Sequence, residues 1–189
     1  KTTTAVHLAT MLARQHRTLL IDGDPQASAA SWAAWRRESD YQPSPTTTCL
    51  TGKAILSEGK PLSKGFEHTV VDAGGRDSTG LRSALLLAQR AIIPVGASNL
   101  DAAAMTDLLE VVEMARDYNP ELDVRVLLTR IDPRTKDAAE MLAFLHEQKL
   151  NVLPTRICER VAFRRAIGEG AVVQELGRDQ TAIQEMEAF

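Results

Sequence analysis

The chain opens with KTTTAVHLATMLARQHRTLLIDGDPQ, residues 1–26, and the order of signals in this stretch decides the fold. Ala5, Leu8, Ala9, Leu12 and Ala13 fall at i, i+3, i+4, i+7 and i+8, the spacing of an amphipathic helix. Thr18-Leu-Leu-Ile-Asp22 follows as a short apolar run that ends in an acid. The same form returns at His68-Thr-Val-Val-Asp72, Arg90-Ala-Ile-Ile-Pro-Val95 and Val124-Arg-Val-Leu-Leu-Thr129. Strands so uniformly apolar suit a sheet buried on both faces, hence parallel. Between them, Met105, Leu108, Leu109 and Val112 keep helical spacing, as do Ala138, Met141, Leu142 and Leu145, with Asp101 and Asp137 as the expected helix starts. The alternation predicts an α/β fold, a doubly wound and mostly parallel sheet with helices on both faces.

The 189 residues suit one domain spanning 1–189. Hydrophobic residues at 44% and charged residues at 25% are globular usage and exclude a disordered tail protein. A net charge of −3 excludes an overall basic nucleic-acid binder but permits a local basic patch. No apolar run is long enough to cross a bilayer, and no signal peptide opens the sequence. Cys49 and Cys158 are too few for a disulfide scaffold and sit in no metal-binding spacing, so reduced thiols are expected. The stretch from Tyr41 to Gly65, rich in Pro, Thr and Gly, reads as loop with one short strand.

Ligands of open α/β sheets bind where strands end and helices begin, because free N–H groups point outward there. Asp22, Asp24 and Asp72 stand at such points. Each alone could equally be a helix cap or turn residue. Lys1-Thr2-Thr3-Thr4, running straight into the first helix, matches the second half of a phosphate loop, GxxxxGK(S/T). Lys-Thr by itself does not separate a phosphate loop from a solvated terminus; the order does. Lys-Thr, helix, strand ending in Asp22, helix, strand ending in Asp72-Ala-Gly-Gly gives Asp72 the position of the acid that holds a magnesium water shell. Trp32 and Trp35, three residues apart, read as core or dimer-face packing. The four histidines have no ligand spacing and read as structural or exposed.

On these words the sequence resembles the ParA/MinD group of deviant Walker-A ATPases, with the P-loop NTPase fold, and ParA-type partition ATPases in particular. KTTTAVHLATMLARQ and TLLIDGDPQASAASW carry the resemblance, and Asp22-Gly-Asp24-Pro25-Gln26 is its most specific word. Thr69-Val-Val-Asp72-Ala-Gly-Gly75 is similar to the third motif, although many members have Thr-Pro-Pro after the acid. Leu127-Leu-Thr-Arg130 resembles the segment that faces adenine, and looser likeness continues through Pro154-Thr-Arg156 and Val161-Ala-Phe163-Arg164 to Glu175. The family's KGGxGKT loop has a signature lysine and a preceding strand, and the sequence begins at the loop's second lysine. An upstream segment carrying them is therefore expected, because apolar strands left open could not offset their ordering entropy.

The resemblance implies ATP and Mg²⁺ as cofactors. Lys1 would contact the β- and γ-phosphates, Thr2 would ligate Mg²⁺, and Thr3 would touch the α-phosphate. Arg130 would lie at the nucleotide. Asp24 would align the attacking water, Asp22 would support the metal, and Asp72 would bind it through water. It further implies weak Mg-dependent ATP hydrolysis, an ATP-dependent homodimer joined across the signature lysine, a ParB-type centromere-binding partner that stimulates hydrolysis, and a cytoplasmic, nucleoid-associated protein. Arg156, Arg160, Arg164 and Arg165 form the densest basic cluster. Arg160 and Arg164 would share a face if helical. Read with the resemblance, they are expected to contact non-specific DNA, against a solvated face paired with Glu159 and Glu169. Two other readings stand beside this one. A MinD-like membrane-associated positioning ATPase would need a cationic amphipathic C-terminal helix, which Thr181–Phe189 does not supply, so no membrane is expected. A non-hydrolysing DNA-binding scaffold would have no need of three clustered carboxylates.

Overall fold

The first apolar run forms β1 (Thr18–Gly23), all six residues of which are buried. Cover on both faces is what its unbroken apolar pattern requires. In the computed structural model, which describes residues 1–75, 78–132 and 134–189 (of residue 99 only the backbone), β1 is flanked in parallel by β2 (Thr46–Cys49) and β3 (His68–Ala73). Their order is β2-β1-β3, and the register sets Asp22 opposite Asp72. The remaining strands, β4 (Arg90–Val95), β5 (Asp123–Ile131) and β6 (Val152–Cys158), form a second parallel sheet in the order β4-β5-β6. The parallel pairing and the positions of β1 to β5 agree with the sequence reading, whereas β6, broken by Pro154 and Arg156 and only partly buried, is not legible as an apolar run. The strands are grouped in two sheets of three rather than in one.

Helix α1 (Thr2–Ala13) lies on β1 and β3 and buries Thr4, Val6, His7, Ala9 and Thr10. Helix α2 (Ser28–Glu38) buries Ala29, Trp32, Ala33 and Arg36. These two helices and Leu20 of β1 share one core with Val172. Trp32 is thus a core residue, while Trp35 on the same helix is 43% exposed. The stretch from Tyr41 to Gly65 contains the expected short strand, β2, and two short helices that periodicity could not announce, α3 (Ala54–Ser57) and α4 (Gly59–Ser63). Four or five residues are barely a turn, and Ile55 of α3 is fully buried through tertiary contact alone.

Helix α5 (Thr79–Leu87) precedes β4. Helix α6 (Asn99–Arg116) starts two residues before Asp101. Ser98 caps it, and Asp101 at the third position returns a bond to the Ser98 N–H, so the acid is half of a capping box rather than the first residue. Helix α7 (Asp137–Glu147) begins at Asp137 as expected. The larger core joins α6, α7, β4 and β5 through Met105, Val112, Val126, Leu128 and Leu145. The chain closes with α8 (Val161–Gly168), α9 (Val173–Leu176) and α10 (Gln180–Glu187) around Leu127, Ile157, Phe163 and Met186. No helix among the described residues is long and apolar enough to cross a membrane.

Candidate functional site

The C-terminal end of β1 and the N-terminal end of α1 supply the site. Asp22 is fully buried, and both of its oxygens accept backbone N–H groups: Oδ1 from Asp24 at 3.1 Å and Oδ2 from Ala30 at 2.8 Å. The carboxylate therefore folds the loop back on the strand and fixes where Asp24 stands. Gly23 permits this approach, since a Cβ there would sit 2.8 Å from Ile55 Cδ1 and 3.3 Å from the Asp72 carbonyl oxygen. Asp24 spends Oδ1 on the Gln26 N–H at 2.9 Å, and its other oxygen, Oδ2, faces Gly74.

Asp72 lies beside them at the end of β3, 3% exposed. Among the described residues its Oδ2 is buried with no hydrogen-bond partner. Burial raises the pKa of its carboxyl above the usual carboxylate value, and the charges of Asp22 and Asp24 add to this, while the Thr2 hydroxyl at its side opposes it. A buried carboxylate oxygen without a partner is a destabilised group unless a cation joins it.

The cationic side comes from the start of α1. Lys1 precedes the helix, and its carbonyl accepts the Ala5 N–H at 3.0 Å. The N–H groups of the first turn have no partner within a helix and favour anions. The Lys1 ammonium rests against Gly75, where any Cβ would collide with Nζ. Lys1, Thr2, Asp22, Asp24 and Asp72 are thus one constellation. A hard divalent cation fits the unpartnered Asp72 oxygen and the Thr2 hydroxyl, and phosphate fits the Lys1 ammonium and the α1 amides. Thr3 stands in the same first turn, its carbonyl 2.7 Å from His7 Nδ1.

Arg130 reaches this region from the end of β5. Its φ of 55° is the left-handed conformation, costly for a side chain with a Cβ and frequent at functional sites. Its guanidinium pairs with Asp101 at 3.0 Å, and Gly96 leaves room for the pair, since a Cβ there would lie 2.5 Å from Asp101 Oδ2. Asp101, read from the sequence only as a helix start, therefore also holds a candidate nucleotide residue.

The basic cluster is more divided than the sequence suggests. Arg160 lies before α8 in extended conformation, so it does not share a helical face with Arg164. It forks onto Glu185 of α10 at 2.7 and 3.2 Å, a partner 25 residues away that local spacing could not reveal. Arg156 on β6 and Arg165 on α8 are exposed, and Arg164 makes a 3.4 Å pair with exposed Glu159. Of the two acids expected to neutralise the patch, Glu159 is thus engaged, by a contact of the weak surface kind. A groove of about 380 Å³ beside α8 brings Arg178 next to Arg160 and Arg165. Arg178 carries no helical or motif signal in the sequence, following the left-handed Gly177 that ends α9.

Residues 1–173 match the model of the CobQ/CobB/MinD/ParA nucleotide binding domain. The chain is 29% identical over 189 residues to maintenance of carboxysome distribution protein A of Halothiobacillus neapolitanus, covering 98% of this chain and 87% of that protein. It is 29% identical over 207 residues to the chromosome-partitioning ATPase Soj of Thermus thermophilus, covering 90% of this chain and 83% of Soj. In fold it is similar to the ATP complex of McdA from Cyanothece, with a TM-score of 0.78 at 18% identity over 98% of this chain and 88% of the other.

Proposed function

The chain belongs to the CobQ/CobB/MinD/ParA family of nucleotide-binding domains, whose ParA/MinD members are ATPases, and from that premise we propose that it is a ParA-type positioning ATPase. It binds Mg–ATP at the start of α1 and hydrolyses it to ADP and phosphate. The observation that carries the reading is the buried, unpartnered Asp72 Oδ2 beside the Thr2 hydroxyl, with Lys1 lying against Gly75. Mg²⁺, when bound, supplies neutralisation of the phosphate charge. Lys1 and the α1 amides hold the β- and γ-phosphates, Thr2 and Asp72 hold the metal, and Asp22 holds the loop that aims Asp24. The oxygen of Asp24 that faces Gly74 accepts a hydrogen bond from the attacking water and aligns it with the γ-phosphorus. Positioning and charge dominate such phosphoryl transfer.

One named relative maintains carboxysome distribution and the other is a chromosome-partitioning ATPase, and the operation common to both is placement of a large cargo. By the same reading this chain dimerises on ATP, binds DNA without sequence preference through Arg156, Arg164 and Arg165, and is released when a ParB-type partner stimulates hydrolysis. Arg160, its charge met by Glu185, lies beside the patch and does not contact the DNA. Nucleoid association follows from DNA binding.

Isothermal titration of the full-length protein with ATP, with and without Mg²⁺, tests the site. Binding is expected to need Mg²⁺. Asp24→Asn is expected to keep ATP affinity within about threefold and to lower kcat by about 100-fold, because a water-aligning acid acts in the transition state. No binding with Mg²⁺ present would refute the reading.

A further inference from the structure

Helices α1 and α2 both begin at the candidate nucleotide site, and a side chain from the buried face of each is hydrogen-bonded to one distant stretch, residues 170–176. From α2, Trp32 Nε1 donates to the Ala171 carbonyl at 3.1 Å, and Arg36 donates to the Gly170 carbonyl at 3.1 Å and forks onto Glu175 at 2.6 and 2.8 Å. From α1 the connection is His7, fully buried. Its Nε2 accepts the Val173 N–H at 3.1 Å, which leaves the proton on Nδ1 for the Thr3 carbonyl at 2.7 Å. The ring also meets Phe163 of α8 edge to face, with centroids 5.6 Å apart. Phe163 immediately precedes Arg164 and Arg165, which are exposed on α8. Burial lowers the imidazole pKa to about 4, so the ring is neutral and Nε2 keeps its lone pair near neutral pH.

We propose that His7 is a positioning residue that transmits the state of the first turn of α1 to α8, through a ring clamped between the Thr3 carbonyl and the Val173 amide. The inference rests on the reading of that turn as the phosphate site. A phosphate drawn onto the first turn shifts or stiffens Thr3. Thr3 is bonded to His7, His7 to Val173, and the ring edge to Phe163, so the arginine-bearing helix is constrained with it. The His7 ring is bonded to backbone, at Thr3 and Val173, and a buried neutral imidazole has no part in the hydrolysis. Its two nitrogens are matched to one acceptor on α1 and one donor on α9, which a hydrocarbon side chain cannot reproduce.

The test is hydrogen exchange over residues 161–176 of the full-length protein, with and without Mg–ATP, alongside titration of ATP. In the wild type, Mg–ATP is expected to slow exchange there by about fivefold or more. His7→Phe fills the same space and leaves the Val173 N–H unpartnered; it is expected to bind ATP within about threefold of wild type and to lose the slowing. His7→Gln, which offers both a donor and an acceptor, is expected to restore it. Val173→Pro removes the same N–H at the first position of α9, where proline is tolerated, and is expected to behave like His7→Phe even if that variant fails to fold. ATP-dependent slowing that survives in His7→Phe or Val173→Pro overturns the relay. So does a wild type that binds ATP with no slowing over 161–176. A wild type that binds no ATP overturns the phosphate-site reading, and the relay with it.

Discussion

At Asp72 the demands of folding and of ligand binding oppose each other. The carboxyl is buried, which raises its pKa, and the charges of Asp22 and Asp24 add to the rise. A group whose folded pKa lies above its unfolded value binds its proton more tightly in the native state. Stability is then greatest below the unfolded carboxylate pKa and falls as pH rises through the folded one, so at neutral pH the ionised Asp72 destabilises the empty protein. Asp72→Asn removes that charge. Without nucleotide it is expected to raise Tm at pH 7, with the gain vanishing in acid, while turnover falls by about 100-fold for want of a charged metal ligand. Thermal melts across pH 4 to 8 and an ATPase assay read the two effects separately. A lower Tm in the variant would show that Asp72 is held by contacts rather than by a site it keeps open.

At the scale of elements, α9 and its approach are fastened by a buried ion pair. Arg36 is fully buried between Trp32 and Tyr41, with its guanidinium divided among the Pro43 and Gly170 carbonyls and the Glu175 carboxylate. Glu175 also accepts the Val172 N–H, so the four-residue α9 depends on tertiary partners rather than on propensity. Removing one member of a buried pair leaves the other charge unmatched, which commonly costs about 3–5 kcal/mol. Glu175→Ala is expected to cost that much in urea unfolding, and Glu175→Gln less, since an amide oxygen still accepts from Arg36. A loss below about 1 kcal/mol in the alanine variant would mean that the two carbonyls satisfy Arg36 unaided. No motif or spacing in the sequence singles out Arg36, whose role exists because Glu175, 139 residues on, is folded against it.

For the molecule as a whole, a net charge of −3 has to coexist with the proposed DNA binding, which requires the positive surface to be local. Arg164→Glu combined with Arg165→Glu is expected to abolish ATP-dependent DNA retention while ATP still binds, because neither side chain belongs to the phosphate constellation. Short of that, each arginine lost should reduce the slope of log affinity against log salt by about one. A gel shift over several salt concentrations, with ATP and with ADP, measures both, and undiminished binding in the double variant would return α8 to an ordinary solvated face. What the sequence determined by itself was whatever depends on local order: apolar runs that must be parallel strands, the helix after Lys1-Thr2, and acids at the ends of β1 and β3. Their convergence into one site follows from that order, because parallel strands carry their C-terminal ends to the same edge of the sheet. The tertiary structure alone decided which polar groups are spent inside the fold and which are left for a ligand. Asp22 is consumed by two backbone amides, Arg160 by Glu185 and His7 by Thr3 and Val173, whereas one oxygen of Asp72 has no partner among the described residues. Hydrogen-bond partners are set by proximity in space, and a residue's type and spacing along the chain do not encode them.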